Sequence, residues 1–293
     1  MELFRALGAL TEPPSDETAE IAALLALGDP PPAGEHERLF LFSLYPYASV
    51  YLGEEGRIGG EARDRIAGFW RAMSWTPPPE VDHLASLLGL YARLVDETTS
   101  LGSDPRHPAT LARRAFFWEH LASWLPVYCH KLTAVARRGY YLRWAELLLE
   151  SLVEEATALG LPEVLPLHLR SAPPLTDPRA DGATGWIESL LAPARSGWIV
   201  VEDNLREVAN ELGIASRKAE RAFALKALLG QDPKGVLLAL GRRASEEAAK
   251  YDERLGSFGP VAEHWSARAR RSADLLRELS ADAGWAEPVL RPR

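Results

Sequence analysis

Residues 82–91, DHLASLLGLY, and residues 119–128, EHLASWLPVY, write nearly the same word twice. Each runs acid, His, Leu, Ala, Ser, any residue, Leu, two more residues and Tyr, with His83 and His120 37 positions apart. A metal site, a catalytic dyad and a pair of similar helices are the three chemistries such an echo invites. Their apolar letters decide first. Leu84, Leu87, Leu88, Tyr91 and Val95 recur at helical spacing, as do Phe117, Leu121, Trp124, Leu125, Tyr128 and Leu132, so each word reads as one helix with a core-facing stripe and a histidine at its edge.

Neighbouring side chains on a helix point about 100° apart, so Asp82 with His83, or Glu119 with His120, are not expected to aim at one ion. The helical zinc pattern needs a second histidine four residues on, where the chain has Leu87 and Trp124. A metal shared between the two helices stays open on geometry alone. A Ser-His-Asp arrangement through Ser86 or Ser123 lacks the exposed elbow and the free backbone donors that acyl chemistry requires. No other convergent titratable pair points to an enzyme. Pro126, inside the second word, is expected to remove the hydrogen bond to the Ala122 carbonyl and kink its helix.

Outside these words the same periodicity predominates, and alternating β-branched runs are nearly missing, which predicts an all-α fold. Helices are expected over residues 16–27, 35–44, 60–73, 80–97, 108–137 with a disturbance at Pro126, and 140–159. Later ones are expected over 202–212, 216–229, 233–255 and 260–280. WIVVE at residues 198–202 is the main strand-like exception. The proline- and glycine-rich SAPPLTDPRADGATG at residues 171–185 cannot continue a helix. It divides the chain into a helical core over residues 1–170, a linker over 171–185 and a helical extension over 186–293.

The 293 residues suffice for a large core without covalent staples. Cys129 is the single cysteine, so no intramolecular disulfide forms, and a reducing cytoplasm fits. The opening MELFRALGALTEPPSDE is not expected to act as a secretory signal, and no stretch approaches the ~20 apolar residues of a membrane span. Residues 1–168 hold 23 acids against 14 Lys and Arg, a balance of −9, whereas the remainder holds 18 against 19, a balance of +1. An acidic first part disfavours nucleic acid and favours a basic ligand, although surface acid kept for solubility explains the same balance.

Three ordered motifs carry a resemblance. LYPYASVYLG (residues 44–53), PPPEVDHLASLLGLY (77–91) and FFWEHLASWLPVY (116–128) are similar, in order and spacing, to the TorD-like family of molybdoenzyme maturation chaperones, which includes the nitrate reductase delta subunit type. The similarity spans roughly residues 35–159. It implies an all-helical cytoplasmic chaperone, not an enzyme, that binds the twin-arginine leader or the body of a molybdopterin oxidoreductase until its cofactor is inserted. On this resemblance the client-binding residues are Tyr47 and Tyr51; Glu80, Asp82 and His83; Leu87 and Tyr91; and His120, Trp124, Pro126 and Tyr128. Glu80 and Asp82 would supply charge, and Trp124, Tyr128 and Tyr91 an aromatic groove. Val81 stands where the family has proline, and Ala48 and Leu87 stand where glutamate is frequent. The repeated word then reads as two groove walls. The resemblance also admits weak contact with a guanine nucleotide or the molybdopterin cofactor, and a homodimer.

The remaining signals are weaker. GEEGRIGGEARDR at residues 53–65 precedes a helix but lacks the Lys-Ser/Thr of a phosphate-binding loop, so it reads first as a flexible turn. In the extension, LREVANELGIASRKAERAFALKALL places Ala209, Gly213 and Ile214 as a helix-turn-helix would. That is the rival reading, a DNA-binding regulator. Five basic residues against four acids over residues 203–230 make it a poor phosphate binder.

Overall fold

A computed structural model describes residues 2–101, 106–136, 139–180, 185–216 and 219–282. Its regular elements are all helices, and among the described residues the only β-type pairing is one isolated antiparallel bridge between Tyr47 and His83. WIVVE forms no strand. Residues 198–201 are buried, and the last of them, Val201, is extended and leads into a helix that starts at Glu202. The chain divides into two compact units, Met1–Gly53 with Ile58–Arg170, and Glu54–Arg57 with Ser171–Arg293.

The first unit contains α1 (Glu2–Ala9), α2 (Asp16–Leu24), a π-helix (Glu37–Ser43), α3 (Ala48–Leu52), α4 (Gly60–Ala72), α5 (Leu84–Leu101) and α6 (Pro108–Phe116). A second π-helix (Phe117–Ala122), α7 (Leu125–Ala136), α8 (Tyr140–Leu159) and the start of α9 (Leu167–Ser171) complete it. Leu84, Leu87, Leu88, Leu90, Tyr91, Ala92, Leu94 and Val95 are all buried, so α5 is covered on nearly every side and serves as the central helix. Against it lies α1, drawn close by Gly8, where a Cβ would sit 3.3 Å from the Ala85 backbone. Trp144 of α8 donates its indole N–H to the Leu7 carbonyl at 3.0 Å, satisfying one of the carbonyls left open at the end of α1.

Two expected helices begin or continue differently. Instead of starting near Glu80, α5 starts at Leu84, because Ala48 N donates to Asp82 O at 3.0 Å and Leu84 N to Pro46 O at 2.8 Å. Those long-range bonds hold residues 80–83 out of the helix. Nor is the expected helix over 108–137 continuous: it is α6, the π-helix and α7, with Ser123 and Trp124 between the last two. The disruption lies one turn before Pro126. The proline occupies the first turn of α7, where a missing N–H costs nothing because that donor has no intrahelical partner.

The second unit contains the rest of α9, α10 (Trp186–Leu191), α11 (Pro193–Ser196), α12 (Glu202–Leu212), α13 (Arg221–Leu229), α14 (Pro233–Arg254), a 3-10 turn (Gly256–Phe258) and α15 (Pro260–Ala281). α14 and α15 fold back on each other, and Gly241 permits the approach, since a Cβ there would lie 3.2 Å from the Ala273 carbonyl. Gly197 is more constrained, with φ +81° and the Ala269 amide 2.3 Å from where its Cβ would be. Residues 172–178, from the proline-rich stretch, are held in this unit: Arg268 donates to the carbonyls of Pro173 and Ala172 at 2.8 and 2.9 Å. Between α12 and α13 run eight residues, 213–220, longer than the three or four of a DNA-binding helix-turn-helix, and two of them, Arg217 and Lys218, lie outside the described residues.

Candidate functional site

The Tyr47–His83 bridge brings the tyrosine motif against the acid-His motif, and the chemistry of the first unit gathers around it. The Tyr47 hydroxyl donates to Glu80 Oε1 at 3.0 Å, and its ring meets the His83 ring edge-on with centroids 4.8 Å apart. Burial, then the Glu80 hydrogen bond, pushes the Tyr47 phenol up to about 12, so it remains a donor. Ser49, buried at the start of α3, donates its hydroxyl to Asp82 Oδ2 at 2.5 Å and accepts the Gly59 amide at 2.9 Å. Asp82 is 1% exposed; its other oxygen lies 3.9 Å from Arg63 Nε, while Arg63 Nη2 donates to Pro79 O at 3.0 Å.

His83 occupies the position before α5 and accepts the Ala85 amide on Nδ1 at 3.3 Å, a side-chain cap on the helix start. The same nitrogen lies 3.3 Å from Glu12 Oε1. Burial lowers the His83 pKa, opposed by Glu12, Glu80 and Asp82, which favours the neutral ring that caps. The result is a cluster with Glu12 and Glu80 at the surface and Asp82 and His83 beneath them. No sequence motif marks Glu12, the pairing of Ser49 with Asp82, or Arg63 as members of this cluster. Only the acidic character of the opening segment hinted at Glu12.

The aromatic members lie elsewhere. Tyr51 and Trp124 stack at 5.0 Å with planes 9° apart, and Tyr128 meets both edge-on at 5.2 Å. Their polar atoms turn inward: Tyr51 OH to Tyr45 O at 2.9 Å, Tyr128 OH to Leu44 O at 3.2 Å, Trp124 Nε1 to His120 O at 2.9 Å. Trp124, Tyr128, Tyr91 and Leu87 are fully buried and Pro126 is buried with them. The open groove expected from these side chains is therefore closed here, because each finds its partners inside the unit. Tyr91 belongs to a separate network, hydrogen bonded to Glu155 and to Arg113 Nε at 3.3 Å, with Arg113 and Glu155 paired at 2.5 Å.

His120, on the second π-helix, is the counterpart of His83 in sequence and its opposite in setting. Phe69, Phe116 and His168 surround its ring at centroid distances of 5.7, 5.2 and 5.6 Å, and Nδ1 has no hydrogen-bond partner. Burial, followed by the charges of His168 and Arg65, pushes its pKa down to about 3; burial and Arg65 push His168 down to about 4. Among the described residues no group of three or more His, Cys, Asp or Glu is gathered to hold a metal ion. The glycine-rich stretch does not fit a phosphate cradle: the Gly59 amide donates to Ser49, and Glu61 puts a carboxylate in the first turn of α4.

Comparison with known proteins finds similarity over part of the chain, a stretch that includes Tyr47, Asp82 and Trp124 but not Glu12. Residues 16–130 match the family described as nitrate reductase delta subunit. Chaperone protein TorD of Vibrio vulnificus (strain YJ016) is 29% identical over 102 residues, 33% of this chain and 47% of that protein. Chaperone protein TorD of Vibrio parahaemolyticus serotype O3:K6 is 26% identical over 113 residues, 37% of this chain and 53% of that protein. The chain thus spans about half the length of the curated relatives it matches, and no solved structure matches it significantly. The matched segment is TorD-like, and these relatives are chaperones.

Proposed function

We propose that the protein is a chaperone for a molybdopterin oxidoreductase, binding the twin-arginine leader and/or body of that client in the cytoplasm and holding it for cofactor insertion, assembly and export. The observation that carries this reading is the clustering of Glu12, Glu80, Asp82 and His83 around the Tyr47–His83 bridge, all but Glu12 belonging to the TorD-like segment. Paired guanidiniums need paired carboxylates, and Glu80 and Glu12 present theirs to solvent. Asp82 and His83 position this surface rather than meet the client first. Asp82 holds Ser49, and His83 caps α5.

Titration of the full chain with a synthetic leader peptide bearing two adjacent arginines tests the reading. Glu80→Gln is expected to weaken binding several-fold at low salt and to reduce its salt dependence, since a partly exposed charge pair is screened over about 10 Å at 0.1 M salt. Binding of an Arg-to-Gln peptide as tight as that of the parent peptide would show that the carboxylates do not read arginine.

A further inference from the structure

Beside the carboxylate cluster, the first unit contains a cavity of about 150 Å³ that the leader-binding reading has not used. Leu10, Ala19, Ala22, Pro30, Tyr140 and Tyr141 contribute its apolar wall, and Glu12 stands on its rim. Two of its polar side chains are spent internally: Thr18 and Ser15 hydrogen bond to each other in the capping box of α2. A third, Tyr141 OH, lies 3.2 Å from His36 Nδ1. What remains for a ligand is a largely apolar space bordered by the Glu12 carboxylate. Its volume matches apolar cavities that take up benzene, so one leucine or phenylalanine side chain fits. Charge selects the flank: Glu12, half-exposed and lining the cavity, favours a cationic neighbour there.

We propose that this cavity receives the first apolar side chain after the arginines of a basic client peptide. It rests on the leader-binding reading and replaces the closed aromatic cluster as the apolar half of the site. Glu12 joins the halves, with one carboxylate that serves both the His83 cluster and the cavity rim. Alternate side chains of an extended peptide share one face about 7 Å apart, so the first arginine and the apolar side chain two residues on face Glu12 and the cavity together.

The test titrates the full chain with three peptides: Arg-Arg followed by leucine, the same peptide with alanine for that leucine, and the leucine peptide with glutamines for both arginines. The wild type is expected to favour leucine over alanine by about tenfold or more, the burial of an isobutyl group. Ala19→Trp, at an exposed position of α2 whose side chain lines the cavity, is expected to bring that ratio within about twofold while the preference for arginine over glutamine persists. Ala23→Trp, one turn further along the same wall, gives the same readout should the first variant fold poorly. Equal binding of the leucine and alanine peptides to the wild type overturns the cavity assignment, as does a leucine preference that survives both tryptophans. Loss of the arginine preference in the wild type instead overturns the leader-binding reading, and absence of binding by all three peptides overturns both.

Discussion

The two echoing words fold to different ends. DHLASLLGLY leaves its acid and histidine outside the helix: Asp82 and His83 precede α5, tied to residues 46–48 by two backbone hydrogen bonds. In EHLASWLPVY both lie within a π-helix, where Glu119 accepts the Leu167 amide at 2.7 Å and His120 is sealed among Phe69, Phe116 and His168. The first word therefore makes a polar cluster with surface carboxylates, the second an aromatic core. What separates them is the partner each meets. A histidine at a free helix start, kept neutral by burial against the pull of Glu12, becomes a cap; one between two phenylalanines is held neutral by desolvation with no amide to accept.

This contrast breaks most visibly at Trp124. Stacked on Tyr51 and wholly buried, it is a core residue, and Trp124→Ala is expected to cost about 3–5 kcal/mol, seen as a lower urea midpoint. A cost under about 1 kcal/mol would return the second word to the surface.

Acid sharpens the comparison next. His120 and His168 stay neutral in the folded chain and gain protons when it unfolds. Their stabilising contribution is full above about pH 6.5 and falls as pH drops toward folded-state values of about 3 and about 4. Each histidine contributes up to about 1.4 kcal/mol per pH unit in that window. His120→Phe is expected to flatten the pH dependence of the denaturant midpoint between pH 6.5 and 4. An unchanged slope would mean that His120 protonates freely in the folded state.

Beneath the first word, Ser49→Ala removes the hydroxyl that Asp82 and the Gly59 amide share, with an expected cost of about 1–3 kcal/mol for the buried groups left short of a partner. Thermal melts measure it; a neutral result would show water reaching Asp82. The smallest expected effect on folding is at exposed Glu80, where Glu80→Gln should change stability by within about 0.5 kcal/mol, its consequence falling on peptide binding. A larger loss of stability would make the Tyr47–Glu80 bond structural.

Much of this was legible without coordinates. Helical spacing predicts the all-α fold, and α8 and α12 run over the expected residues because their ends are local: glycine caps follow Leu159 and Leu212. α2 and the helix expected over 35–44 are less complete. The first stops at Leu24, and the second is a π-helix over Glu37–Ser43. Short helices such as α1, α3, α10 and α11 were not anticipated, since a single turn or two has too few residues for periodicity to register. The motifs around Tyr47, Asp82 and Trp124 pointed to the TorD-like segment because they are linear strings, readable one residue at a time.

Sequence by itself determined the helical class, the acidic balance of the first part and the motif order, all of which depend on residue identity and local spacing. Tertiary structure alone decided that Asp82 and His83 stand outside α5, that Trp124, Tyr128 and Tyr91 face inward, and that Glu12 meets His83 across 71 residues of chain. Those outcomes depend on which backbone groups find partners far along the chain. A helical stripe reads the same whether its aromatic side chains are covered by another helix or left open to a ligand.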